Sequence, residues 1–203
     1  MCKRFSRSAV QKLKKWVEGK GGYLFTEDWV LVELVQEAWP QMARAGAYFK
    51  ERTVDAVPAR GNTTHPLMRG VYVTKSRSIE TPLKEGPDKA FKPKTEVVGG
   101  DPVKRIREAI KRPCGNWKID DESPRVILGQ ATPLLVSEIL KKEAGSNDTL
   151  ALTFKARLGR VLHVVSHFGR QQNREDEFIL TNMLLNFIME AVREGKKIKR
   201  RQK

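Results

Sequence analysis

The sequence predicts an α/β domain, a three-layer sandwich around a mostly parallel sheet. Two segments carry that expectation. Residues 8–40 run helix, glycine cluster, strand, sharp turn and helix, which is the order of a sheet with crossover helices. Near the other end, Val161-Leu162-His163-Val164-Val165-Ser166 is nearly continuous apolar and β-branched, which suits a central strand covered on both faces. A length of 203 residues fits one such domain and buries a sizeable core without staples.

The elements follow in order. Ser8 is placed to cap a helix over 8–18, on which Val10, Leu13, Trp16 and Val17 share one face. Gly19, Gly21 and Gly22 stop it, and Tyr23-Leu24-Phe25-Thr26 is a short strand. Thr26 or Asp28 caps a second helix carrying Trp29, Val32, Leu34, Val35, Ala38 and Trp39, and Pro40 ends it. Arg60–Thr64 reads as loop and Gly70–Thr74 as strand. Pro82, Pro87, Pro93 and many charges make residues 75–100 a long irregular excursion. Asp101-Pro102 opens a short helix to about Lys111. Arg125–Leu128, Leu134–Val136 and Thr149–Phe154 are strands. The last helix runs from about Arg174 to Val192 on Phe178, Met183, Leu184, Phe187, Ile188 and Ala191. Residues 1–192 thus form one domain and 193–203 a basic tail.

The formal charge of +15 is concentrated at the ends. Residues 1–20 and residues 193–203 each carry seven Lys or Arg against one Glu, leaving a net +3 for the 172 residues between. Such ends support weak, non-specific nucleic-acid contact, whereas a broad basic face is not indicated. The simpler reading is a solubilising terminus. No run reaches the roughly 18 apolar residues of a membrane span, and no apolar h-region follows the basic start. The default expectation is therefore a cytoplasmic protein. Cys2 and Cys114 make neither a disulfide framework nor a four-cysteine zinc site, and Cys114 has no His or Asp beside it.

Several short motifs resemble one family. His65-Pro66-Leu67-Met68-Arg69-Gly70-Val71 is similar to the His-Pro-x-x-Arg-Gly-Leu/Val stretch of trehalose-utilisation-like proteins. Gly159-Arg160-Val161 through His167-Phe168 resembles their closing strand, and Leu184-Leu185-Asn186-Phe187-Ile188 their terminal helix. The opening Trp16-Val17-Glu18-Gly19 through Gly21-Gly22-Tyr23-Leu24 resembles their helix–glycine–strand entry. These proteins belong to the class I glutamine amidotransferase-like superfamily. The resemblance implies that superfamily's fold with its N-terminal part lacking, since this chain opens within what looks like the third strand–helix unit. It also implies a nucleophilic Cys in the turn after the Gly-Gly strand. Here that turn reads Phe25-Thr26-Glu27-Asp28-Trp29, so thiolate-based glutamine hydrolysis is not expected. An incomplete sheet would expose an edge and lead to self-association or a protein partner.

The remaining chemistry lies at strand ends, where open parallel sheets bind ligands. Glu27 and Asp28 are placed to bind a hydroxyl-rich ligand or act as a base, although Asp at a first helical turn is equally a cap. His163 and His167 spell His-x-x-x-His, but on a strand they stand roughly 13 Å apart and share no ion. His163 reads as a hydrogen-bonded core residue and His167 as the site residue. Gln171, Gln172 and Asn173 form an amide-rich turn of the kind that reads sugars, and also of ordinary loops. Glu27, Asp28, His167 and Gln171 are thus the expected ligand-binding residues, with no metal and no cofactor. The expected function is non-catalytic recognition of a carbohydrate or protein, or an assembly role. The alternatives are a hydrolase using Glu27 or Asp28 with His167, and nucleic-acid binding through the termini.

Overall fold

The computed structural model describes residues 5–71, 115–144, 147–172 and 174–201. All of them belong to one unit built from Met1–Tyr72 with Pro113–Lys203. Helix α1 (Arg7–Lys20) is capped by Ser6, whose Oγ accepts from the Ala9 N–H at 3.2 Å, so the cap lies two residues before Ser8. Gly21 closes it in the left-handed region (φ 70°), a conformation that costs glycine nothing. Strand β1 (Tyr23–Glu27) follows. The expected second helix is a π-helical turn, Leu31–Val35, running into a single α-turn, α2 (Gln36–Ala38). Trp39 Nε1 donates to Glu18 Oε1 at 3.0 Å and Lys14 Nζ to the Ala38 carbonyl at 2.7 Å, which ties α2 to α1.

Then come β2 (Ala43–Tyr48), β3 (Arg52–Pro58) and a 3₁₀ turn at Pro66–Met68. Beyond them lie β4 (Gly115–Ile119), β5 (Pro124–Leu128), β6 (Thr132–Val136) and α3 (Glu138–Ala144). The chain closes with β7 (Thr149–Ala156), β8 (Gly159–Val164) and the long α4 (Arg174–Arg201). The final helix therefore continues through residues expected as a tail. Gly70 and Val71 lie in a turn. The rest of the expected 70–74 strand, the 75–100 excursion, the 101–111 helix, Cys2 and Cys114 lie outside the described residues.

The sheet corrects the expected fold class. Six strands run in the order β1-β8-β7-β6-β3-β4, and β2 pairs with β5 in a separate two-stranded sheet. Among the described residues only β1 and β8 pair in parallel; β8–β7, β7–β6, β6–β3, β3–β4 and β2–β5 are antiparallel. This is a mixed, mostly antiparallel sheet, not a mostly parallel three-layer sandwich. The reason lies in the connections. A parallel neighbour needs a crossover of about a dozen residues or more, whereas β7 and β8 are joined by Arg157-Leu158 alone and must fold back as a hairpin. The apolar run at 161–166 does mark a strand buried on both faces, since every residue of β8 is buried, but it carries one neighbour of each direction.

The sheet also curls. Ser166, just past β8, donates to the Lys118 carbonyl on β4 at 2.6 Å, although those strands are separated by three others. Helix α4 contacts both edge strands, β1 and β4. The core between these elements includes Trp117, Leu152, Leu162 and Met183, all essentially buried. One close approach sets the position of β8 against the end of α1. A Cβ on Gly159 would lie 2.2 Å from the Gly22 carbonyl oxygen and 2.4 Å from that of Val17. Both are backbone atoms that cannot swing aside. Gly159→Ala is therefore expected to lose about 1–3 kcal/mol or more in urea denaturation, as overpacked sites do. Gly19→Ala, with nothing within 4 Å of the added carbon, should be neutral or stabilising by up to ~1 kcal/mol. Equal stability of Gly159→Ala and the parent would contradict this packing.

Candidate ligand site

The parallel pairing of β1 with β8 brings the turns that follow both strands to one end of the sheet. Glu27 is the last residue of β1, and the Asp28 N–H donates to the Val164 carbonyl at 2.9 Å, extending the ladder by one step. Asp28 then takes a left-handed conformation (φ 45°), tolerable for Asp but uncommon outside glycine, and often found where a site fixes its geometry. The turn leaves its side chain only 6% exposed. Across from it stands His167. Its Nε2 lies 3.2 Å from Asp28 Oδ2 and its Nδ1 3.7 Å from Glu27 Oε2. Glu27 uses its other oxygen to accept the Phe168 N–H at 2.8 Å, which holds the 167–168 backbone against β1.

The curl of the sheet adds a third carboxylate. Asp120, just after β4, places Oδ2 at 3.7 Å from His167 Nε2 and at 3.0 Å from Arg170 NH1. Its Oδ1 lies 3.5 Å from Lys118 Nζ, which also pairs with Glu51 at 2.9 Å. Burial pushes the Asp28 carboxyl above its ordinary range. The Ser123 hydroxyl, His167 and the Trp29 N–H pull it back, and the nearby Asp120 charge pushes it up again. Asp28 Oδ1 and Ser123 Oγ are both buried and have no other hydrogen-bond partner among the described residues, and the Ser123 hydroxyl is the neighbour that holds the Asp28 carboxyl down. Asp28 is thus a desolvated carboxylate set beside a partly exposed imidazole.

Glu27, Asp28 and His167 therefore do meet. Gln171 belongs to the same region in a different capacity. Its Oε1 accepts the Lys118 N–H at 2.9 Å, and its Nε2 donates to Ser166 Oγ and to the His167 carbonyl. Both polar atoms of its side chain are used in holding the loop, so it positions His167 and presents little to a ligand. Asp120, Ser123 and Arg170 were not legible as site residues, because only the curl brings β4 to the end of β8. Trp29 and Tyr48 stack at 5.2 Å with rings 25° apart, and both remain exposed. Trp29 follows Asp28 directly, and Tyr48 pairs with Pro124 next to Ser123.

His163 is fully buried, and its Nδ1 meets Thr26 Oγ1 at 3.0 Å on the neighbouring strand. Its Nε2 has no partner among the described residues. It faces the core and takes no part with His167. Among the described residues, no group of three or more His, Cys, Asp or Glu side chains is arranged to hold a metal ion. Nor is any helix among them long and apolar enough to cross a membrane.

No protein-family profile and no curated protein matches the chain. Among solved structures it is similar to part of a cold-adapted β-galactosidase from Rahnella sp. R3, with a TM-score of 0.50 and 10% identity. The match covers 93% of this chain and 22% of that one, so this chain spans about a fifth of its neighbour. At that identity the likeness is one of fold alone.

The buried histidine generates a prediction. Burial holds the His163 imidazole down at about 3, whereas an unfolded histidine titrates near 6.5. From pH 6.5 down to about 3 the unfolded chain thus binds a proton here that the native chain does not. Stability must rise with pH across that window, by up to ~1.4 kcal/mol per unit, and this contribution is flat above it. In urea denaturation at several pH values, His163→Leu should show a shallower acid slope than the parent. Parallel curves would mean that His163 takes up its proton in the native state.

Proposed function

We propose that the chain is a non-catalytic recognition module that binds a hydroxyl-rich ligand, a carbohydrate, at the His167 end of β1 and β8. The observation that carries this reading is the ring of acceptors around one imidazole. Asp28, Glu27 and Asp120 all lie within 4 Å of His167. Sugar hydroxyls donate and accept at once, and a cluster of carboxylate acceptors with imidazole and guanidinium donors offers both. The exposed Trp29–Tyr48 pair supplies an aromatic face on the same turns, suited to the apolar face of a pyranose.

Hydrolysis by Glu27 or Asp28 with His167 is the competing reading. The 3.2 Å Asp28–His167 contact favours it, as an orienting pair. Against it, the ring has a carboxylate on either side, with Nδ1 facing Glu27 Oε2 at 3.7 Å, which gives it no hydroxyl or thiol partner to activate. Ser166, the nearest hydroxyl in sequence, already donates to Lys118 O and accepts from Gln171. Calorimetric titration with a panel of neutral mono- and disaccharides tests the proposal. One sugar class should bind with Kd in the roughly micromolar-to-millimolar range. His167→Ala, Asp120→Asn and Trp29→Ala should each weaken it about tenfold, a change of ~1.4 kcal/mol. A folded protein that binds no sugar, or whose binding ignores His167 and Asp120, contradicts the reading. Turnover of a bound glycoside abolished by His167→Ala would replace it with the hydrolase.

A further inference from the structure

The opposite end of the same strand pair carries a second constellation, independent of the His167 site. There the second residue of β8, Arg160, lies across from Tyr23 on β1 and across from Lys155 on β7. Residues directly opposite on antiparallel strands share a face, with Cβ atoms about 5 Å apart, and like charges in such a pair repel. Lys155 is exposed and has no ion-pair partner among the described residues. Arg160 is nearly buried. Its Nε lies 2.9 Å from Glu190 Oε1 on α4, and its NH1 donates to Thr153 Oγ1 at 3.4 Å. Tyr23 Oη donates to the same Glu190 oxygen at 3.3 Å, so Glu190 anchors the guanidinium from behind. A guanidinium has five N–H donors, and these contacts leave most of them unused.

A cavity of about 320 Å³ opens in front of these groups, lined by Arg160, Lys155, His65, Gln130, Thr132 and Met42 among others. His65 has a defined tautomer. Its Nδ1 accepts the Leu67 N–H at 3.2 Å in the 3₁₀ turn, so a neutral ring carries its proton on Nε2 and presents a donor. Burial, and then the Arg160 charge, hold the His65 imidazole below its usual range, which keeps it neutral at pH 7. Guanidinium, ammonium, imidazole N–H, hydroxyl and carboxamide thus surround one small space. The charges around it are Lys155, Arg160 and Glu190, one positive charge in excess.

We propose that this cavity is a binding site for a compact tetrahedral oxyanion, a phosphate or a phosphomonoester, held between Arg160, Lys155 and His65. An anion there satisfies the guanidinium donors, relieves the Lys155–Arg160 repulsion and balances the excess charge. The fork of Arg160, fixed from behind by Glu190, matches two oxygens of such an anion.

The test is titration of the full chain with inorganic phosphate and with glycerol phosphate. Ionic strength is held constant with chloride, and binding is followed by the His65 ring signals in ¹H–¹⁵N spectra. Binding should be saturable in the roughly millimolar range or tighter, and it should raise the pH at which His65 titrates. Lys155→Gln, an exposed change on β7, should weaken binding several-fold. Arg160→Gln should weaken it tenfold or more, and Arg160→Lys should restore only part. A preference for the ester identifies an organic phosphate and equal affinity a free one; either supports the site. The proposal is overturned if chloride alone gives the same response. It is equally overturned if His65 is unmoved at ~50 mM phosphate, or if folded Lys155→Gln and Arg160→Lys bind like the parent.

Discussion

One pairing organises this molecule. The parallel register of β1 on β8, Tyr23 with Arg160 through Glu27 with Val164, is the only parallel pairing among the described strands, and it joins the two ends of the chain. Its register is locked where β8 starts: Arg160 N donates to the Gly22 carbonyl at 3.1 Å, and Gly159 passes so close to α1 that no side chain fits. It is locked again where β1 ends, by the Asp28 N–H on Val164. A shift of one residue would turn His163 out of the core and unseat Asp28 from His167.

Because the strands are parallel, each end of the pair assembles like with like. At the carboxyl end two turns leave the sheet together, and their side chains, Asp28 and His167, face each other. At the amino end two strands enter together, and Tyr23 and Arg160 share Glu190. Antiparallel pairing would have set each turn beside an entering strand and produced neither cluster. Between the two clusters lies the buried Thr26–His163 contact, which leaves one ring nitrogen unsatisfied. An unpartnered buried polar atom costs roughly 1–3 kcal/mol, and His163 therefore spends stability inside the pair that holds both ends.

Local structure was legible in the sequence and strand direction was not. Helix α1, β1, β5, β6, β7, β8 and the start of α4 announce themselves by apolar period and glycine punctuation. Strand β2, Ala-Arg-Ala-Gly-Ala-Tyr, is too small and too polar to register, and β3 and β4 alternate only weakly. Without those strands, the helix–strand–helix opening points to repeated crossovers, and the two-residue Arg157-Leu158 turn is the one local signal for a hairpin instead. The site was half legible for the same reason. Glu27, Asp28 and His167 follow readable strands. Asp120 follows an unread one, and it reaches His167 only because the sheet curls far enough for β4 to meet the loop after β8. Gln171 was legible as an amide in the right turn, but its three hydrogen bonds make it a support for that turn.

Interstrand nuclear Overhauser effects on uniformly labelled protein test the central pairing most directly. The parallel register requires backbone contacts between Phe25 and the residues flanking Leu162, and between Thr26 and the residues flanking His163. It also requires a contact from the His167 ring to the Asp28 methylene. An antiparallel pattern, with Tyr23 against Val164 and Glu27 against Arg160, would contradict the account and dissolve both clusters built on it.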